Sequence, residues 1–178
     1  MPHFWMSYFQ VDDVSQTVAI AKQSGAIIEV KPTDFYDGKI ALIRDPQGAG
    51  FTVYDGENLN FAAGPKKGTV AYNELHVSNA NNVLEFYEKI FNWQFEKANG
   101  DKTYHAYDAT QNWITSIKEL PNTVKGKYEY WVITFDVEDV AAAVKQVEKW
   151  GGAVVAQDGK RVMVTDNSRE AFFYLVTL

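Results

Sequence analysis

The chain has 178 residues, a net charge of -6 and no cysteine, and 46% of its residues are hydrophobic. This composition suits a sizeable globular core, and the lack of cysteine excludes disulfides, zinc–thiolate sites, iron–sulfur clusters and a cysteine nucleophile in this chain. An acidic chain is a poor match to a nucleic-acid backbone or an anionic membrane. The sequence begins without a signal-peptide pattern and has no apolar run of about 18 residues, so the expected location is the cytoplasm.

The sequence contains an internal repeat. Residues 5–26 and 131–152 align without gaps at an offset of 126, and the similarity resumes at an offset of 121, where Asp45 corresponds to Asp166. The identical pairs in the first stretch are Trp5/Trp131, Phe9/Phe135, Val11/Val137, Asp13/Asp139, Val14/Val140, Val18/Val144 and Gly25/Gly151. Two copies of one structural unit are therefore expected, with a shorter loop in the second.

The first copy has the pattern of one strand, one helix and three further strands. Asp12 or Asp13 can cap the helix, apolar residues then recur at helical spacing, and Gly25 stands where the helix should end. The predicted strands, rich in aromatic and β-branched residues, are Phe4–Val11, Ala26–Val30, Ile40–Arg44 and Phe51–Tyr54. The pattern is therefore βαβββ.

A third copy of this pattern lies in the middle of the chain. Its helix follows Asn79, and Asn99-Gly100-Asp101 is typical of a hairpin turn. Its predicted strands are Tyr72–Ser78, Trp93–Ala98, Thr103–Asp108 and Trp113–Lys118. The sequence thus predicts an α+β fold with three βαβββ repeats, which we call the first (1–55), second (70–118) and third (129–178). Residues 56–69 form a linker and residues 119–128 a second connection.

Three segments carry a resemblance to a known family. They are NELHVSN at 73–79 with the helix that follows, FDVEDV at 135–140, and DPQGA at 45–49. Together they resemble the vicinal oxygen chelate superfamily, which includes glyoxalase I, extradiol dioxygenases, fosfomycin resistance enzymes and bleomycin resistance protein. The tandem two-domain branch is the most similar. The resemblance implies the fold more firmly than the function, because the superfamily hosts many chemistries.

In that family two βαβββ units form one domain around a cleft. The resemblance therefore implies a complete domain over 70–178 and a lone half-domain over 1–55. A lone half-domain would expose a sheet edge and an apolar face. We expect residues 1–55 to pair with the same residues of a second chain in a homodimer. The alternative is that they pack on residues 70–178 of their own chain.

The family's enzymes hold a divalent metal through His, Gln or Glu at fixed strand positions. The resemblance places these positions at Met6, Thr52, Tyr72, Val132 and Phe173, and near Ser116. None of these residues is a credible ligand, and a metal site needs three or four of them. We therefore expect neither a metal ion nor another cofactor.

Strand alternation indicates what lines the cleft instead. The predicted ligand-binding residues are Tyr72, Glu74, His76, Trp113, Thr134, Asp136 and Phe173. Leu175 lies beside Phe173 on the last strand and joins them, and Trp113, Thr115 and Ile117 face the cleft if the last strand of the second repeat shares this alternation. Glu74 and His76 are about 7 Å apart along the strand, too far for a direct hydrogen bond but close enough to reach one ligand. Core positions are expected for Trp5, Trp131 and Trp150, and a surface position for His105.

Two functions follow from this reading. The first is metal-independent binding of a small apolar or cationic molecule, the cation being favoured by the net charge and by Glu74 and Asp136. The alternative is a lyase or dioxygenase-like enzyme with an atypical metal site that uses Glu74 and His76, and these two groups could also carry acid–base chemistry. A mainly structural role is the third possibility. No catalytic residue is assigned.

Overall fold

The structure is a computed structural model, and it describes residues 4–57, 66–100 and 102–178. Most of the predicted linker 56–69 lies outside these residues, as does Asp101 of the predicted hairpin turn. None of the helices in these three ranges is long and apolar enough to cross a membrane.

The three predicted repeats are present. The first contains β1 (Tyr8–Gln10), α1 (Val14–Gln23), β2 (Ile27–Phe35), β3 (Gly38–Arg44) and β4 (Gly50–Tyr54). The second contains β5 (Thr69–Val77), a 3-10 turn (Ala80–Asn82), α2 (Leu84–Phe91), β6 (Gln94–Lys97), β7 (Thr103–Tyr107) and β8 (Trp113–Glu119). A short helix, α3 (Asn122–Lys125), lies in the predicted connection. The third contains β9 (Tyr130–Asp136), α4 (Val140–Lys149), β10 (Ala153–Asp158), β11 (Arg161–Thr165) and β12 (Phe172–Val176).

Each repeat has the same strand order. The first strand pairs in parallel with the fourth, and the fourth, third and second strands follow in antiparallel pairs. The helix between the first and second strands makes the parallel connection possible. The α+β class and the βαβββ pattern are thus confirmed.

The helix signals of the first and third repeats are also confirmed. Asp13 accepts a hydrogen bond from the backbone N–H of Gln16 at 2.9 Å, and Asp139 accepts one from Ala142 at 3.0 Å. Gly25 and Gly151 follow these helices with φ of +91° and +93°. A side chain would be strained in that left-handed conformation, so the glycines set where the helices end.

Some predicted boundaries differ from the structure. The first strand was predicted over Phe4–Val11, but only Tyr8–Gln10 pairs with β4. β2 is longer than predicted and includes Pro32, with register shifts against β3 on both sides of Val30. It lies at one edge of its sheet, and β1 lies at the other.

The chain forms two compact units. The larger comprises the described parts of 6–60 and 74–131, and the smaller those of 1–5, 61–73 and 132–178. In the larger unit α1 packs on α2, and rings from the first two repeats share one core. Phe9 and Phe51 contact Phe91 with ring centroids 5.2 and 5.8 Å apart, and Tyr87 stacks on Trp93 at 5.8 Å.

Within the larger unit, α1 of the first repeat contacts α2 of the second, and both helices contribute buried residues to one core. The homodimer expected through residues 1–55 stays a prediction. The assignment of 70–178 as one functional domain stays a prediction.

The smaller unit contains the third repeat. α4 packs on β10, β11 and β12, and Trp5, Phe135 and Phe173 meet edge to face at 5.6 to 5.9 Å. The core position expected for Trp150 is wrong, because 74% of its surface is exposed. It caps the C-terminus of α4, where the first repeat has Ser24.

Candidate ligand-binding site

The polar residues of β5 lie on one face of its sheet. Leu75 and Val77 point into the core and are fully buried. Glu74 and His76 alternate with them, and they lie in register with Ser116 and Lys118 of β8. The predicted alternation along β5 is therefore confirmed, and the polar side chains of β5 and β8 share one face.

Glu74 and His76 form a buried pair. His76 is fully buried and Glu74 is 6% exposed, and the imidazole Nε2 lies 2.6 Å from the carboxylate Oε1. The expectation that no direct hydrogen bond could form is wrong. The backbone separation is that of residues i and i+2, but the glutamate side chain is long enough to close the gap to the ring.

Tyr130, the first residue of β9, is the next member of this group. Its hydroxyl lies 3.4 Å from His76 Nδ1, and the two ring centroids are 5.3 Å apart. When Nε2–H donates to Glu74, the neutral imidazole keeps Nδ1 as an acceptor for the tyrosine O–H. Burial, followed by the charges of Glu74 and Glu129, raises the pKa of Tyr130 to about 12, so its hydroxyl keeps its proton at neutral pH.

Ser116 lies in the middle of the polar face. Its backbone is in register with Glu74 on one side and with His105 of β7 on the other. His105 Nδ1 is 2.9 Å from the serine Oγ, and the indole N–H of Trp113 donates to the same oxygen at 3.4 Å. His105 is therefore part of this group, in contrast to the surface position expected for it.

A β-bulge orients Trp113. Ala106 pairs with Thr115, but the next pair is Tyr107 with Trp113, so β8 carries one extra residue. This shift brings Trp113 to the Ser116 side, where it is 44% exposed. Thr115 and Ile117 were expected to share its face, but both are fully buried, and Ile117 lies in register with Leu75.

The other predicted site residues belong to the smaller unit. Thr134 is fully buried and, within the described ranges, its Oγ1 has no hydrogen-bond partner. Asp136 accepts hydrogen bonds from Lys67 Nζ at 2.7 Å and from the Leu178 N–H at 3.1 Å, and the Lys67 hydrogen bond is the main reason why its pKa is lowered. The Tyr72 hydroxyl accepts from Arg161 at 3.4 Å.

The expected orientation of Phe173 and Leu175 is wrong. Thr134 lies in register with Tyr174, which places Phe173 on the opposite face of the sheet. There it contacts Trp5 and Phe135. The resemblance implied that Phe173 faces the cleft, but the register of the parallel pair between β12 and β9 places Tyr174, one residue later, on the face of Thr134.

The described residues do not fit the metal centre that the resemblance implies. Within the three described ranges, no group of three or more His, Asp or Glu side chains is placed to hold a metal ion. Glu74 and His76 supply only two side chains that could bind a metal ion, and the carboxylate is already hydrogen-bonded to the imidazole. A protein site for zinc or iron needs at least three ligands.

Sequence and structure comparisons bear on this fold and site. The model of the Glyoxalase/Bleomycin resistance protein/Dioxygenase superfamily matches residues 1–53 and 69–169. "Putative glyoxylase CFP32" of Mycobacterium bovis is 27% identical over 162 residues, covering 88% of this chain and 61% of the relative. "Anthracycline biosynthesis protein DauV" of Streptomyces sp. is 25% identical, with 86% and 57% covered. The chain thus spans about 60% of the length of these relatives.

A solved structure supports the same fold. The 2,3-dioxygenase LapB of Pseudomonas sp. KL28 aligns with a TM-score of 0.58 at 11% identity, over 96% of this chain and 70% of that chain. Three βαβββ repeats define a protein of the glyoxalase fold. The chain belongs to the Glyoxalase/Bleomycin resistance protein/Dioxygenase superfamily.

Proposed function

We propose that the chain binds a small molecule without a metal ion, at the polar face formed by Glu74, His76, Ser116 and His105. The buried Glu74–His76 pair is the observation that carries this proposal. Burying a carboxylate and an imidazole costs stability even when they are paired. Strand residues that serve only packing are apolar, as Leu75 and Val77 are on the other face.

The ligand that suits this face is a flat molecule with a cationic or hydrogen-bond-donating group. Glu74 contributes acceptor oxygens, and the half-exposed indole of Trp113 offers a surface on which a cation or an aromatic ring can stack. Lys118 lies at the other end of this face, in register with His76. The cationic group is therefore expected on the Glu74–Ser116–Trp113 side.

Binding to a cationic probe tests this proposal. Benzyltrimethylammonium should raise the melting temperature, and benzyl alcohol, which lacks the charge, should raise it less. Calorimetric affinity for the cation should fall about tenfold or more, about 1.4 kcal/mol, in Glu74→Gln, because the variant loses the attraction between the carboxylate and the quaternary ammonium. Glu88→Gln, an exposed change on α2, is the matched control.

Metal dependence is measured in the same assay. Affinity should be the same after dialysis against EDTA and after addition of Mn²⁺, Fe²⁺, Co²⁺, Ni²⁺ or Zn²⁺. Binding that appears only with a metal would contradict the proposal, as would equal affinity of Glu74→Gln or no response to the cation.

A second candidate function is acid–base catalysis. Glu74, His76 and Tyr130 are ordered so that a substrate proton could pass to the Tyr130 oxygen while the tyrosine proton passes to His76 Nδ1. The imidazolium formed would be stabilised by Glu74. The names of the relatives, which include a glyoxylase, favour an enzyme of this class. Loss of turnover in Tyr130→Phe with unchanged ligand affinity would favour this function over binding alone.

A further inference from the structure

One lysine of the larger unit is buried. The side chain of Lys125, the last residue of α3, has no exposed surface, although lysine is almost never fully buried unless it is paired. Its ammonium donates to the backbone carbonyls of Tyr128 at 2.9 Å and Gly126 at 3.3 Å, and it lies 3.0 Å from a carboxylate oxygen of Glu129. Burying a charge costs stability even when the charge is paired, so packing alone does not explain this lysine.

The carboxylate of Glu129 joins the loop after α3 to the end of β5. Its Oε2, the oxygen next to the Lys125 ammonium, accepts a hydrogen bond from the N–H of Ser78 at 2.8 Å. Its Oε1 accepts from the Ser78 hydroxyl at 2.7 Å. Ser78 directly follows β5 and lies two residues after His76. The carboxylate is thus held between Lys125 on one side and Ser78 on the other.

Tyr130 follows Glu129 directly and reaches the candidate site. It is the first residue of β9, so the chain before it is a loop, and the position of its ring depends on how that loop is held. Its hydroxyl lies 3.4 Å from His76 Nδ1. Two neighbouring contacts therefore connect residues 129 and 130 with residues 76 and 78, one through the carboxylate and one through the phenol.

The contact of Tyr130 sets the protonation of the His76 ring. When Nδ1 accepts from the tyrosine hydroxyl, the neutral ring carries its proton on Nε2, which lies 2.6 Å from the Glu74 carboxylate. A separation of 3.4 Å is already long for a hydrogen bond, so a small displacement of Tyr130 breaks the contact. The imidazole and the carboxylate would then lose a support that fixes their orientation.

We propose that Lys125 is a positioning residue of the candidate site. Its ammonium keeps the Glu129 carboxylate on Ser78, and this contact in turn keeps the Tyr130 hydroxyl at His76. Without the ammonium the nearly buried carboxylate would turn toward water, because an unpaired buried charge is unfavourable. The inference rests on the proposed function, since Lys125 affects binding only if the polar face is the ligand site.

NMR of the ligand-free protein tests the position of Tyr130. Long-range ¹H–¹⁵N correlation spectra report whether each imidazole nitrogen carries or accepts a proton, and Tyr130→Phe gives the His76 Nδ1 resonance without the hydroxyl. Lys125→Met, which removes the charge but keeps a long side chain, should move this resonance toward that reference. Lys89→Met is the matched control, because Lys89 forms an exposed pair with Glu85 at the same spacing of four residues. It should leave the resonance unchanged.

His105 distinguishes positioning from a general loss of structure. It lies on the same polar face, and its Nδ1 is 2.9 Å from Ser116 Oγ. Positioning by Lys125 predicts that His76 moves and His105 does not. Movement of both histidines, or of neither, in a Lys125→Met protein that keeps its circular dichroism spectrum would overturn the proposal.

Ser78→Ala provides a second variant in case Lys125→Met does not fold. Ser78 is exposed, and its hydroxyl supplies one of the two hydrogen bonds that hold the Glu129 carboxylate at β5. The His76 resonance should move in the same direction as in Lys125→Met, by a smaller amount. An unchanged resonance would contradict the proposed route from Lys125 to Tyr130.

Calorimetry with benzyltrimethylammonium links this geometry to binding. Ser78→Ala suits the measurement because it changes no charge, and its affinity for the cation should fall at least about twofold, as for one weakened neutral hydrogen bond. Ser15→Ala, the same change on the exposed side of α1, is the control. Equal affinity of Ser78→Ala and the natural chain would contradict the inference. A natural chain that does not bind the cation would contradict the proposed function, and the ligand-free spectra would still decide whether Lys125 positions Tyr130.

Discussion

Two corresponding aspartates show how neighbouring residues set the behaviour of one carboxylate. Asp45 accepts backbone hydrogen bonds from Gln47, Gly48 and Ala49 and a further one from the Tyr87 hydroxyl at 3.0 Å. Burial raises its pKa from 3.8 to about 6, although these hydrogen bonds lower it. Asp166 lies in the corresponding turn, and hydrogen bonding from Ser168 lowers its pKa. The difference arises because Asp45 is buried beside Tyr87 of α2, whereas the main influence on Asp166 is its hydrogen bond with Ser168.

Asp45 should therefore make the protein less stable as the pH rises. The folded state binds the proton more tightly than the unfolded chain, so the contribution of Asp45 is fully present below about pH 4 and is lost as the pH rises through about 6. The difference is at most roughly 3 kcal/mol. Urea unfolding between pH 4 and 7 should show Asp45→Asn gaining stability relative to the natural chain as the pH rises.

Asp166→Asn is the control for this measurement. Because the pKa of Asp166 is lowered, its stabilisation is present at neutral pH and is lost on acidification. The two variants should therefore shift the pH profile in opposite directions. Profiles that stay parallel to that of the natural chain would contradict the assignment for Asp45.

At the residue scale the sequence located only part of the candidate site. The alternation of β5 was enough to find Glu74 and His76 on one face. Tyr130 was missed, and Ser116 was named only as the position of a metal ligand in the family, because the approach of both residues to His76 and Glu74 depends on long-range strand register and not on local pattern. Trp113 was named, but the bulge that turns it toward Ser116 has no local sequence signal.

At the element scale, α4 depends strongly on its cap. None of its residues is fully buried, so packing stabilises it less than it stabilises α1. The hydrogen bond from the Ala142 N–H to Asp139 therefore contributes a larger share of the stability of the first helical turn.

Removal of this cap should loosen α4 locally. We expect Asp139→Ala to cost about 1 kcal/mol and to speed amide hydrogen exchange over 142–149. Asp139→Ser should retain most of the protection, since serine also caps helices. Asp13→Ala should increase exchange in α1 by less. A larger increase in α1 than in α4 would show that the difference in burial does not decide how strongly each helix depends on its cap.

Elements with a periodic pattern and a capping residue were predictable, and those set by tertiary contacts were not. Asp13, Gly25, Asp139 and Gly151 fixed the helix ends within a residue or so. The strand over Phe4–Val11 was overextended, because pairing with β4 begins only at Tyr8. A run of aromatic residues indicates a preference for extended backbone, but it does not show whether a neighbouring strand is present to pair with it.

At the scale of the whole molecule, the three repeats were predictable from the sequence, and their grouping into domains stays a prediction. The identity between Trp5/Trp131 and Gly25/Gly151 shows that two repeats share an origin. It does not show which apolar faces meet. That depends on which helices pack together. α1 packs on α2, whereas α4 has no fully buried residue.

Pro32 has a consequence for how separate molecules behave in a concentrated solution. β2 is an edge strand of its sheet and exposes Ile27 and Val30, a combination that invites strand addition and fibril growth. Proline has no N–H to donate to an added strand, and register shifts like those around Val30 disturb the regular spacing that such a strand would need. Pro32→Thr should therefore shorten the lag of thioflavin-T-positive aggregation on prolonged agitation, whereas Thr33→Val, which leaves the proline in place, should change it less. Pro32 in this edge strand thus hinders strand addition between neighbouring molecules.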